Sequence, residues 1–192
     1  MKFNYLLRGQ GWAEGYIEVN SQRCDFNPSY LTDVLGDLLD GLVYLLITTA
    51  PNRKRSPSFT IIMDEEPSGL EWEFTLVNEK NMQLLIKAFE DMCSKESDQG
   101  EIVIETTCNS NDFLSEVIKE LEVLIKKHGI IGYKETWAQH EFPLSSFLRL
   151  KHYLKQEQDF EIAYVGKNKR DWDYYLTDIN AELSLLTDSG NE

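Results

Sequence analysis

Three cysteines, three histidines and five prolines are all that this 192-residue sequence holds of those types, and each shortage removes a class of protein. Cys24, Cys93 and Cys108 lie far apart and form no CxxC pair. That argues against a disulfide framework or a zinc site and suits a reducing cytoplasm. His128, His140 and His152 have no metal-ligand spacing, and His140-Glu141 lacks the second histidine of a metal-binding helix. No apolar run approaches the ~18 residues needed to cross a bilayer, so no membrane span is expected. The first ten residues read as a strand and not as a secretory leader. Basic residues are scarce as well: 19 Lys and Arg stand against 33 Asp and Glu, a formal net charge of −14. A field of that sign disfavours nucleic acid and anionic lipid, and it draws a basic partner inward. Phosphate-binding glycine loops, HExxH, GxSxG and Asp-rich calcium loops are all missing, and no cofactor is expected.

What is present is an ordinary globular composition, 42% hydrophobic and 27% charged, at a length that suits a single domain over residues 1–192. The longest helical period runs from Asn27 to Thr48. Leu31, Val34, Leu35, Leu38, Leu39, Leu42, Leu45 and Leu46 make a stripe wide enough to cover a sheet. Asn27 or Ser29 can cap this helix, Pro28 suits its first turn, and Pro51 cannot continue it. Gly36 and Gly41 inside it imply that packing outweighs propensity, with Gly41 a place of close approach.

Around that helix the pattern is mostly strand. Lys2 to Arg8 and Trp12 to Val19 form a hairpin about Gly9-Gln10-Gly11, and residues 20 to 26 read as a polar connection. Ser58 to Asp64 and Leu70 to Val77 alternate cleanly, with one buried and one wet face. Met82 to Phe89 also fits a helical stripe, but it continues a meander and is read as a strand. Glu101 to Thr107 follows, with Ile102 and Ile104 inward. A helix from Asn109 to His128 ends at Gly129 with basic residues in its last turn, and His128 complements the helix dipole. Residues 130 to 142 read as an aromatic-rich connection. Pro143 opens a helix to about Lys155. Phe160 to Val165 can pair with Asp173 to Leu176, and Thr177 or Asp178 can cap a last helix through Leu186 before a frayed tail. The expected fold is α+β: one antiparallel sheet of about six strands, with the long helix 27–48 and the C-terminal helices packed on one face.

Four groups of residues are candidates for chemistry. Arg53, Lys54 and Arg55 form a basic loop cluster, which in so acidic a chain reads as solvated. Asp64, Glu65 and Glu66, with Glu71 and Glu73 on the next strand, could hold a cation or act as an acid–base pair, though no lysine or histidine is adjacent. Trp137 to Pro143 gathers Trp, His and Phe, which could line a pocket or anchor a loop. Tyr30, Asp33, Asp37, Asp40 and Tyr44 share the outer face of the first helix, where charge can steer a basic partner and tyrosine can anchor it. The competing reading of that face is solvation alone.

The segments GWAEGYIEV (11–19), SYLTDVLGDLLDGL (29–42), GLEWEF (69–74) and GYKETWAQHEFPLSSFLRL (132–150) together resemble a family of uncharacterised bacterial cytoplasmic proteins. The resemblance extends from about residue 3 to residue 154. It implies a small acidic α+β protein, similar to members thought to neutralise toxins of polymorphic secretion systems, and it carries over no catalytic residue. The expected function is a non-enzymatic, protein-binding module of the immunity or antidote type, directed at a basic protein such as a toxin. A hydrolase-like small-molecule enzyme using the carboxylate cluster is one alternative. An acidic secretion chaperone, which would be a dimer, is another.

Overall fold

The computed structural model describes residues 1–48, 56–97, 99–138, 140–167 and 172–187. The basic cluster Arg53, Lys54 and Arg55, residues 168–171 and residues 188–192 lie outside the described residues.

Alternation of apolar and polar side chains builds the strands. β1 (Lys2–Gly9), β2 (Trp12–Val19) and β3 (Gln22–Phe26) form an antiparallel sheet in that order. Phe3, Tyr5, Leu7, Ala13, Ile17, Val19, Cys24 and Phe26 point into the core. Residues 20–26 are therefore not a simple connection. Asn20 (φ 49°) and Ser21 (φ 66°) make a two-residue turn of positive φ, the kind that matches strand twist and returns the chain as β3. The polar Gln22, Arg23 and Asp25 mask the buried pair Cys24 and Phe26 that defines the strand.

β4 (Ser58–Asp64), β5 (Gly69–Leu76), β6 (Asn81–Phe89) and β7 (Glu101–Asn109) form a second antiparallel sheet, a plain meander that includes the ambiguous 82–89 stretch as a strand. The β6–β7 register slips between Ile86 and Lys87, which face Ile104 and Ile102. A bulge of this kind adds one residue to one strand and changes which side chains face inward. Ile104 is fully buried, whereas Ile102 is 55% exposed and does not point inward as its spacing predicts. β8 (Ala163–Lys167) and β9 (Asp173–Leu176) pair as a separate two-stranded sheet.

Among the described residues the architecture is thus α+β with four helices and antiparallel sheets of three, four and two strands, not one six-stranded sheet. The physical reason lies at the seam between β3 and β7. Gln22 Oε1 accepts from the Glu105 N–H at 3.1 Å, and Gln22 Nε2 donates to the Glu105 carbonyl at 3.4 Å. Asn20 Nδ2 donates to Thr106 Oγ1 at 2.8 Å and to the Thr107 carbonyl at 3.1 Å. Side-chain amides occupy the place of a main-chain ladder, so the edges abut without merging.

The first helix is shorter than its period. α1 spans Val34–Val43, with Asp33 as its cap, and a wider turn of π type carries the chain over Tyr44–Thr48. The residues before it are claimed by strands. Ala13 N–H donates to the Pro28 carbonyl at 3.0 Å, Ser29 N–H to the Asp64 carbonyl at 2.7 Å, and Asn27 N–H to Glu65 Oε1 at 2.7 Å. Those bonds hold 27–29 extended between the start of β2 and the end of β4, so neither Asn27 nor Ser29 caps the helix. Leu31, ahead of the helix start, is 55% exposed instead of buried. Gly41 is a place of close approach: a Cβ there would lie 2.1 Å from a Phe59 ring carbon.

α2 (Ser110–Trp137) is capped by Asn109 Oδ1, which accepts from the Asn111 and Asp112 N–H groups. It lies along the open edge of β1, where Glu120 Oε1 accepts from Tyr5 N–H at 3.0 Å and from Asn4 Nδ2 at 2.8 Å, so the edge is not left for another chain. Gly129 (φ 67°, ψ 173°) breaks its geometry, yet helix resumes and runs on to Trp137. The 130–142 stretch is thus half helix, because Tyr133 and Trp137, four apart, both bury completely. Burial and the neighbouring Lys127 push the His128 imidazole below its usual pKa, which works against a cationic role at the break. α3 (Leu144–Gln156) follows, and α4 (Ile179–Thr187) starts at Asp178, whose Oδ1 accepts from Asn180 N–H at 2.9 Å. Lys151 of α3 is 5% exposed; its Nζ pairs with Glu122 of α2 at 2.6 Å and donates to the Leu185 carbonyl of α4. No described helix is long and apolar enough to cross a membrane.

Candidate protein-binding face

Five segments converge at one corner: the β1–β2 turn, residues 27–33, the start of α1, the end of α2 and the start of α3. Gly11 N–H donates to the Thr136 carbonyl at 3.1 Å, which ties the turn to α2. The Tyr30 ring lies against Gly11, where a Cβ would come within 2.5 Å of it. His140 Nε2 donates to the Tyr30 carbonyl at 2.8 Å. A carbonyl only accepts, so this bond puts a proton on Nε2 and leaves Nδ1 facing Asp33 Oδ2 at 3.7 Å. Two stretches that read as independent candidates, the acidic helix face and the Trp137–Pro143 segment, are therefore one place.

The five face residues do not have equal freedom. Asp33 Oδ1 accepts from Gly36 N–H at 3.2 Å, so this carboxylate is the α1 cap as well as the partner of His140. Asp40 accepts a hydrogen bond from the Ser146 hydroxyl, joining α1 to α3. Tyr30 is half-buried with its carbonyl engaged, whereas Asp37 is exposed and Tyr44 is 36% exposed on the π turn. Burial pushes the Asp33 carboxyl above its ordinary range, with Asp40 adding to the rise against the Gly36 N–H and His140. Asp37 is raised by burial, then by Asp33 and Asp40, with His140 opposing. Three carboxylates within two turns of helix thus repel one another, with Asp37 and Asp40 exposed and Asp33 half-buried.

Behind this corner sit buried polar atoms that have no hydrogen-bond partner among the described residues: Tyr5 Oη, Tyr133 Oη and Trp137 Nε1. Tyr5 and Trp137 meet edge-on at 6.2 Å, and Tyr133 meets Phe142 edge-on at 5.4 Å. Burial raises both tyrosines, and the Asp33 charge adds to each. The rings of the Trp137–Phe142 stretch are anchors, while His140 bonds Tyr30 and Glu141 pairs with Lys134 of α2.

The other carboxylate group is used locally. Glu65 fastens Asn27 N–H, Asp64 Oδ1 accepts from Glu66 N–H at 3.0 Å, and Glu73 Oε1 accepts from the Thr75 hydroxyl at 3.5 Å. A cleft of about 560 Å³ beside Glu65 is lined by Arg23, Cys24, Leu70, Phe89 and Glu101, among others, and by no residue of the 137–142 stretch. Among the described residues no three His, Cys, Asp or Glu side chains gather as metal ligands.

Sequence reasoning passed over one surface. Trp172 is 63% exposed, and Tyr164, Tyr174 and Tyr175 are 52–56% exposed, all on or beside the β8–β9 pair. The signal was there, since two strands with no third partner cannot bury both faces.

No family model, curated protein or solved structure matches the chain.

Proposed function

We propose that this chain is a non-enzymatic protein-binding module of the immunity type, working in the cytoplasm, and that it covers a basic protein such as a toxin with the face formed by Tyr30, Asp33, Asp37, Asp40 and Tyr44. The observation that carries the reading is the carboxylate trio with Asp37 outward. Asp33 and Asp37 are both held above their usual pKa range, so their charge costs the free protein something that an incoming lysine or arginine would relieve. Tyr44 beside them supplies contact area at low entropic cost. The net charge of −14 adds long-range steering toward such a partner and away from nucleic acid.

The test separates recognition from fold. Asp33 and Asp40 have structural bonds, so the informative variant is Asp37→Lys. Wild-type protein used as bait in native lysate is expected to retain a basic protein that elutes with salt, and Asp37→Lys is expected to lose it at unchanged thermal stability. Equal retention by both baits removes the assignment of this face.

A further inference from the structure

Tyr5 Oη, Tyr133 Oη and Trp137 Nε1 sit where the end of α2 closes over β1, and none has a hydrogen-bond partner among the described residues. The three side chains are 0–1% exposed, so bulk solvent does not reach them. They form one group. Tyr133 and Trp137 lie one turn apart on the same face of α2, and the Tyr5 ring meets Trp137 edge-on at 6.2 Å. Burial raises the Tyr5 pKa, and the Tyr133 phenol adds to the rise, so the two hydroxyls lie within each other's field. A buried polar atom without a bond is costly, and native interiors supply a partner to nearly all of them.

We propose that these three side chains enclose a site for an internal water molecule, shared between β1 and α2 behind the acidic corner. The chemistry of the group selects the occupant. An indole N–H only donates, so whatever bonds Trp137 must accept, which a cation does not. After burial, the Asp33 charge adds to the raised pKa of both phenols, so its field reaches the site and disfavours an anion. The neighbours are aromatic. Tyr133 meets Phe142 at 5.4 Å and Tyr5 meets Phe26 at 6.2 Å, so a larger polar molecule would lie against rings that give it nothing to bond. Water fits the count. It accepts the Trp137 proton and one phenol proton and donates to the other phenol oxygen, about three bonds, the usual number for an internal water. The bridge also completes the hold of β1 on α2. Before the break at Gly129, Glu120 grips the Tyr5 N–H; after it, the water ties the Tyr5 hydroxyl to Tyr133 and Trp137, in the segment that leads to His140.

Tyr5→Phe and Tyr133→Phe, singly and together, test the site, since each removes one oxygen and keeps the ring. Each single variant is expected to raise the unfolding equilibrium constant about fivefold, the worth of one net hydrogen bond. The double variant is expected to lose less than the product of the two, because the second substitution takes a bond from a water already loosened. In wild type the Trp137 indole proton is expected to show a nuclear Overhauser effect to a long-lived water. Phenylalanine variants as stable as wild type, or more so, overturn the proposal, because removing an orphan hydroxyl relieves a cost. So do two losses that multiply in full, which would give the phenols separate partners, or an indole proton with no water contact.

Discussion

Between residues 133 and 147 the rings of Tyr133, Trp137, Phe142 and Phe147 are at most 3% exposed; between 164 and 175 the rings of Tyr164, Trp172, Tyr174 and Tyr175 are at least 52% exposed. The two stretches are similarly aromatic in sequence. The first has a second layer: Tyr133 meets Phe142 and Phe142 meets Phe147, each edge-on at 5.4 Å, where α3 packs on α2, which also packs on β1. In the second, Tyr164 and Tyr175 meet each other at 5.4 Å across the ribbon, and all four rings stay more than half exposed. Burial is decided by what arrives on the other side of a side chain, which composition does not record.

The sharpest way to break this comparison is a pair of tryptophan truncations. Trp137→Ala empties a fully buried site and should cost about 3–5 kcal/mol. Trp172→Ala, at a site 63% exposed, should change the stability by less than about 0.5 kcal/mol. Denaturant unfolding of the two variants measures both, and similar losses would mean that the ribbon belongs to the core. A smaller version of the contrast lies within β7, where Ile104→Ala should cost about 2–4 kcal/mol and Ile102→Ala should be nearly silent, because the bulge turns Ile102 outward. Equal costs would place Ile102 inward after all.

These contrasts mark how far the sequence was legible. Strands with clean alternation, such as Leu70, Trp72 and Phe74 against Glu71 and Glu73, were readable because side-chain period and burial coincide. β3 was hidden because only Cys24 and Phe26 of its five residues are apolar, and because positive φ at Asn20 and Ser21 leaves no composition signal. The start of α1 was misplaced because helical period cannot show that the Ser29 and Asn27 N–H groups are already bonded to Asp64 and Glu65. The division into separate sheets was also out of reach, since it rests on Gln22 and Asn20 bridging a seam between elements eighty residues apart. At the candidate face the residue types were visible. What was not visible is that His140 reaches across to Tyr30 and Asp33, a contact of tertiary structure alone.

Among the described residues a buried polar contact joins α4 to the body: Lys151 of α3 bonds the Leu185 carbonyl and Glu122 of α2. Lys151→Ala leaves Glu122 without its cation and the Leu185 carbonyl without its donor. Because the Glu122 side chain keeps 24% exposure, the cost should fall at about 2–3 kcal/mol, at or below the usual range for a broken buried pair. Hydrogen exchange should locate the loss: amides of 179–187 should lose protection by a larger factor than those of β5 and β6. Uniform loss across the chain would show that α4 is no appendage.

A last and smaller effect separates the two regions by pH. Arg149 grips Asp159 with two bonds, at 3.0 and 2.6 Å, at the root of the ribbon. Burial alone raises this carboxyl, but the guanidinium and the Phe160 N–H outweigh it and hold it below its usual range. Its contribution is therefore present above the usual aspartate pKa of about 3.9 and is lost as pH falls through the lower folded value. Asp33 is shifted the opposite way, so its contribution is full below about 3.9 and is lost as pH rises through the higher folded value. Asp159→Asn should thus loosen the 159–187 region at pH 7, by at most about 1 kcal/mol for a part-exposed pair, and the difference from wild type should shrink progressively as pH falls below about 3.9. Asp33→Asn keeps a good cap and removes the costly charge, so its melting point relative to wild type should be higher at pH 7 than at pH 3. Limited proteolysis at the ribbon reads the first, and thermal unfolding reads the second. If both variants shifted with pH in the same direction, the acidic corner and the ribbon root would not be in the opposed electrostatic settings inferred from their partners.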